Sequence, residues 1–230
     1  MNWKRVFGAV AVLCLIGGAA YVLVHFLGRS PEPEPDPAPV YTIAVDAGHG
    51  GRDPGATAGD VYEKDINLEI AKKLRDLVDA QPDLEAVLIR SLDIFISLED
   101  RILQAEEAGA IMYVTVHVNS FTDSGPTGVE TIVADARSRD DDSWILAELI
   151  QNGVVEATGA RDRGTRSQDS YTQRASMPAV SVETGYLTNP DERALLMNSE
   201  YQSRIAEGIL SGIREFVTWK HPAEVPEEQP

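Results

Sequence analysis

Between residues 41 and 219 the chain alternates short apolar runs with stretches of helical periodicity, and this alternation limits the folds open to it. Runs of about four to eight apolar residues bounded by polar segments read as buried strands, whereas apolar positions recurring at three- and four-residue intervals read as one face of a helix. Residues 41–46 (YTIAVD), 85–90 (EAVLIR), 111–118 (IMYVTVHV), 129–134 (VETIVA) and 179–184 (AVSVET) fit the first pattern. The stretch EKDINLEIAKKLRDLVDA fits the second, placing Ile66, Ile70, Leu74, Leu77 and Val78 on one face and ending before Pro82. Another helix is expected from Ser97, where Ser97 and Asp100 stand at capping-box spacing. SWILAELIQNGVVEAT, ERALL and EYQSRIAEGILSGIREFVTW complete the set. Strands alternating with helices imply βαβ units. The expectation is an α/β fold, a mainly parallel sheet sandwiched between helices, in a single domain over residues 40–220.

The flanks read differently. Residues 6–28 are 23 residues with His25 as the only ionisable side chain, and a bilayer core needs about 20 such residues as a helix. Residues 1–29 are therefore expected to be an N-terminal membrane anchor, with a cleaved signal sequence as the alternative. Lys4 and Arg5 before the span, against acidic residues after it, place the N-terminus inside and the domain outside the cytoplasm. Residues 30–39 (SPEPEPDPAP) form a Pro/acidic linker, an extended spacer of about 3 Å per residue. Residues 221–230 read as a disordered acidic tail. A formal net charge of −17 argues against nucleic acid as a partner. Cys14 is the only cysteine, which rules out an intramolecular disulfide. No feature argues for an oligomer, and a monomer is expected.

In open α/β sheets, ligands bind beyond the carboxyl ends of strands. His49 lies three residues past the first expected strand, His117 near the end of the third, Glu183 at the end of the last, and Glu63 where the first loop enters its helix. The chain has four histidines, and the two inside the domain both fall at this edge. Two imidazoles and a carboxylate suit zinc, which in catalytic sites keeps one position open. A further carboxylate, Glu183, is then available as general base. Each residue also has an ordinary reading: a turn histidine, a helix N-terminal acid for Glu63, an Asx-turn for Asp46 against a role orienting a ligand histidine. The glycines of VDAGHGGRDPGA lack both phosphate-loop patterns.

The motifs VDAGHGGRDPGA, YEKDINLEIAKKL, IRSLDIFISLEDRILQAEEAGA, VTVHVNS and MPAVSVETGYLTNPDERALL occur in that order. Together they resemble the zinc-dependent N-acetylmuramoyl-L-alanine amidases of the amidase type 3 family, from about Tyr41 to Trp219. Ala47 stands where that family more often has proline, and Glu106 where it has asparagine. The resemblance implies one Zn2+ per chain held by His49, Glu63 and His117, with Glu183 as the catalytic base. It implies peptidoglycan as substrate, cut at the amide joining N-acetylmuramic acid to L-alanine of the stem peptide. Asn119, Arg90, Arg163 and Arg174 are candidates for substrate contacts, the arginines through stem-peptide carboxylates; for each arginine a structural ion pair is the competing reading, and for Asn119 the closing of a turn. Some family members carry a helical plug over the zinc. The roughly 45 residues between Val133 and Pro178 leave room for one ordinary helix, so an enzyme without the plug is expected, limited by its tether, with an activator protein left open. The alternatives are a zinc peptidase acting within the stem peptide and an inactive peptidoglycan-binding regulator. The regulator should have lost a ligand or the base, and this chain keeps all four.

Overall fold

The computed structural model describes residues 38–222, with Gly18 and Tyr21 before them. Apart from those two residues the expected anchor lies outside the described residues, as do nearly all of the linker and tail. Among the described residues no helix is long and apolar enough to cross a membrane.

A six-stranded sheet forms the centre, built from β1 (Tyr41–Ala47), β4 (Leu84–Leu88), β5 (Met112–Asn119), β6 (Val129–Ala134), β7 (Asp162–Gln168) and β8 (Ala179–Tyr186). Their order is β4-β1-β5-β8-β6-β7. The pairs β1–β4, β1–β5, β5–β8 and β6–β7 are parallel, and β6 runs antiparallel to β8. A small hairpin, β2 (Thr57–Ala58) with β3 (Val61–Tyr62), precedes the first helix. The helices are α1 (Glu63–Asp79), α2 (Leu98–Glu107), α3 (Ser143–Thr158), α4 (Pro190–Leu196) and α5 (Ser199–Lys220). The mainly parallel sheet between helices is as expected from the alternation.

Side chains alternate across a strand, and here the two sheet faces differ in kind. On one face Ile43 and Val45 of β1, Val114, Val116 and Val118 of β5, and Val180 and Val182 of β8 meet α1, α3 and α5 in the main core. Ile66, Ile70, Leu74 and Val78 enter that core from α1, with Leu77 partly buried beside them. Each such side chain contributes on the order of 1.5–3 kcal/mol when fully buried. Helices α3 and α5 approach at glycines: a Cβ on Gly212 would lie 2.5 Å from Ile150 Cα. Helix α3, the one α-helix between β6 and β8, is thereby packed into the main core with α5. That second face carries Ala44, Tyr113 and Ala179 under a smaller cluster from α2 and the 3-10 turn Tyr171–Arg174. It also carries Asp46, Thr115, His117 and Glu183, spaced two residues apart along β1, β5 and β8.

Helix α2 begins as the capping-box spacing predicts, Ser97 accepting from the Asp100 amide at 3.1 Å. The strand β7 (DRGTRSQ) was not expected. It has no apolar alternation, pairs only with β6 at the sheet edge, and is mostly exposed or half-buried.

Candidate metal centre

The loop after β1 turns sharply. Gly50 and Asp53 exchange backbone hydrogen bonds of 2.9 and 3.2 Å, and His49 sits at φ 62°, the left-handed region that a side chain rarely occupies. The turn throws the His49 ring back over the sheet. His117, near the end of β5, comes from the second face, and Glu63 is the first residue of α1. Glu63 Oε1 lies 3.2 Å from His49 Nε2 and 3.0 Å from His117 Nδ1. The three side chains bring one ligand atom each within 4.8 Å of the others. Sites on either side leave no room for a larger backbone: a Cβ on Gly48 would collide with the His117 ring, and one on Gly55 would lie 2.5 Å from Glu63 Oε2.

Surrounding groups fix the orientation of these ligands. His49 Nδ1 meets Asp53 Oδ2 at 2.8 Å, which directs Nε2 inward. Glu63 Oε2 accepts from the Ala56 amide at 2.8 Å and Oε1 from the Val118 amide at 3.1 Å. Asn67 donates to both Glu63 Oε1 and the Gly48 carbonyl at 3.2 Å. Burial alone would raise the Glu63 carboxyl, yet hydrogen bonds and charge from His117 and His49 hold it well below the carboxylate range. Burial opposes a charge on His49, but Glu63 and Asp53 outweigh it and push the imidazole up to about 9. His117 moves upward in the same way, against its burial. With protons alone, each ring must turn an N–H towards Glu63 Oε1, and His49, which also faces Asp53, is held in its charged form. A divalent cation would satisfy the same three donors without those protons, so the residues fit a metal, and two imidazoles with one carboxylate are a set that zinc accepts.

Asp46 neither closes an Asx-turn nor touches a histidine. It is fully buried, pairs with Arg101 Nη1 at 2.7 Å, and accepts from Tyr113 at 2.6 Å, Tyr171 at 3.1 Å and Thr115 at 3.1 Å. Arg101 passes this anchorage on, donating to the carbonyls of Ala47 at 2.8 Å and His49 at 2.5 Å. Arg101 and Asp53 are thus site residues that sequence reading missed. Asp53 had a local signal, four residues from His49, whereas Arg101 had only its place on the buried stripe of α2 beside Ile102 and Ala105.

Glu183 of β8 is in register with His117 on one side and Glu130 of β6 on the other. Its carboxylate accepts one hydrogen bond among the described residues, a long one of 3.3 Å from Ser181 Oγ. Burial, against the opposing charge of His117, pushes its carboxyl up to about 6. A group titrating there is suited to take and return a proton near neutrality.

The four expected substrate contacts separate. Arg90 gives a correction: it is 1% exposed, and its nitrogens donate to the carbonyls of Ala47, Gly48, Lys64 and Leu92. Its guanidinium holds the β1 loop and is not offered to a ligand. Arg174 lies on the surface, 2.8 Å from Glu99. Asn119 donates to Glu130 at 2.6 Å and accepts from the Ser120 amide at 2.8 Å. Arg163 also pairs with Glu130, at 3.1 Å. Beside the histidines a cavity of about 420 Å³ is lined by His49, Asp53, Phe95, Ile96, Leu98, Arg101, His117 and Tyr171.

Comparison with known proteins places this geometry. Residues 43–215 match the family described as N-acetylmuramoyl-L-alanine amidase. The N-acetylmuramoyl-L-alanine amidase LytC of Bacillus subtilis is 37% identical over 172 residues, which cover 74% of this chain and 34% of that protein. The chain thus spans about a third of LytC. Among solved structures, an N-acetylmuramoyl-L-alanine amidase from Clostridium difficile superposes with a TM-score of 0.76 at 36% identity, over 80% of this chain and 100% of that one. The CwlD amidase of Clostridioides difficile, solved in complex with the GerS lipoprotein, gives 0.70 at 30% identity over 78% and 99%.

Proposed function

We infer the chemistry from one premise: the chain belongs to the N-acetylmuramoyl-L-alanine amidase family. Its reaction is the hydrolysis of the amide between N-acetylmuramic acid and L-alanine in peptidoglycan, and its place of action is therefore outside the cytoplasm. The finer reading is that the enzyme works with one zinc ion held by His49, Glu63 and His117, and that Glu183 is its general base. The observation that carries this is the convergence of three ligand atoms within 4.8 Å, with a fourth ionisable group, Glu183, next to His117 in the sheet register.

A zinc ion held by this set would supply positive charge beside the amide carbonyl. Everything else falls to the chain's own residues. Glu183, ionised above about pH 6, takes a proton from the attacking water and returns it to the leaving amine. Asp53 keeps His49 in one tautomer, and Glu63 is steadied by backbone amides on both oxygens. The apolar run at 6–28 would hold the domain near its substrate, and the GerS complex of CwlD is the precedent for a protein partner. The test is mass spectrometry of peptidoglycan digested by the purified protein. Free stem peptides beginning with L-alanine are expected, abolished by a chelator and by Glu183→Ala. Cuts inside the stem instead would replace the amidase with a peptidase.

A further inference from the structure

The strand order sets the polar face out as a row. His49 follows β1, His117 lies on β5, Glu183 on β8, Glu130 on β6, and Arg163 and Arg166 on β7. Beyond Glu183, therefore, comes a second buried carboxylate and then two cations. Glu130, its side chain 8% exposed, uses both oxygens. Oε1 accepts from Asn119 at 2.6 Å and Tyr186 at 3.2 Å. Oε2 faces Arg163 Nε at 3.1 Å and Arg166 Nε at 2.8 Å. The two guanidiniums thus share one oxygen of a single carboxylate. Arg163 is otherwise engaged, lying over the Tyr186 ring at 5.1 Å and reaching the Thr127 carbonyl at 3.4 Å. Arg166 is 53% exposed and uses only Nε on Glu130, so its two terminal nitrogens have no protein partner among the described residues.

We propose that Arg166, held in place by Glu130 and backed by Arg163, binds a carboxylate of the peptide on the amine side of the scissile bond. This deepens the amidase reading and rests on it. The direction of the substrate follows from the reaction. The leaving amine must receive its proton from Glu183, so the amine side extends from β8 away from the histidines, over β6 and β7. The opposite flank suits a different group, being walled by Phe95, Ile96, Leu98 and Tyr171, with its arginine, Arg101, already paired with Asp46. From β8 to β7 is two strand spacings, roughly 10 Å. An extended peptide covers that in about three residues, which brings the acidic second residue of a stem peptide within reach of an arginine side chain. A guanidinium with two free nitrogens meets a carboxylate with two parallel hydrogen bonds.

The test is calorimetric binding of two synthetic peptides to the full-length, zinc-loaded chain. One is L-Ala-γ-D-Glu-L-Lys with a free α-carboxylate on the glutamate; the other carries a carboxamide there. The acidic peptide should bind about tenfold more tightly, the equivalent of about 1.4 kcal/mol. Arg166→Gln should bind both equally, and Arg166→Lys should recover part of the preference. Equal affinities for the native chain, no binding of the acidic peptide at millimolar concentration, or a preference that survives Arg166→Gln would each overturn the proposal. Hydrolysis of peptidoglycan is followed in parallel. If no L-alanine-terminated peptide appears while the preference stands, the amidase reading fails and the carboxylate site does not.

Discussion

The second face of the sheet holds two buried charged centres a few residues apart, and they are built on opposite plans. Around Asp46 every charge has its answer inside the protein: Arg101 pairs with it and three hydroxyls donate to it. Around Glu63 the donors converge on one point and answer each other only by taking up protons. The first arrangement anchors, because removing any member strands the rest. The second is balanced by protons, which the proposed zinc ion would replace. Buried polarity alone therefore does not mark a site; what marks it is polarity left incomplete by the fold.

The contrast can be broken deliberately. The largest effect is expected from Glu183→Gln, which removes the proposed proton carrier and leaves the proposed ligands in place: hydrolysis should fall by about 10²–10⁴-fold, while zinc content measured by atomic absorption stays near one per chain. Next comes Arg101→Met. Breaking one half of a buried ion pair costs about 3–5 kcal/mol, so urea unfolding should show a loss of that order. A smaller loss would mean the Asp46 centre is not the anchor described. Asp53→Asn should act on the other centre, weakening zinc affinity by about 10–100-fold in competition with a chelator.

The smallest effect sharpens the comparison through pH. In the metal-free chain His49 is raised from 6.5 to about 9, so its contribution is full below about pH 6.5 and is lost as pH rises through 9. Glu63 is depressed from 4.5, so its contribution is present above that value and is lost as pH falls. The melting temperature of chelator-treated protein should therefore be higher at pH 6 than at pH 9.5. With zinc bound, protons no longer hold the rings and that decline should shrink. An identical decline in both forms would mean that the cluster does not govern it.

Much of this was legible in the chain because periodicity and residue type carry it. The α3 boundaries (Ser143–Thr158) follow from SWILAELIQNGVVEAT, and His49, Glu63 and His117 stood out as metal-binding types placed beyond strands. What was hidden depends on contacts far apart in sequence. Asp46 meets partners 55, 67 and 125 residues away, which no local window contains. Arg90 looks like a surface residue in sequence, yet its planar fork is matched by carbonyls from two distant segments, Ala47 with Gly48 and Lys64. The strand β7 lacks alternation because, paired on one side only and open to solvent, it has little core to face.

The reversal of β6 and β7 relative to the other strands has a consequence for descent and design. Because β6 starts where β8 ends, Glu130 and Arg163 belong to strand beginnings, whereas His49, His117 and Glu183 belong to strand ends. The exposed stretch 120–125 on the way into β6 can thus lengthen, shorten or exchange without disturbing the turn that carries His49. The half of the groove that would choose the peptide and the half that would break the bond are inherited on separate pieces of chain. Either can be retuned while the other stays as it is.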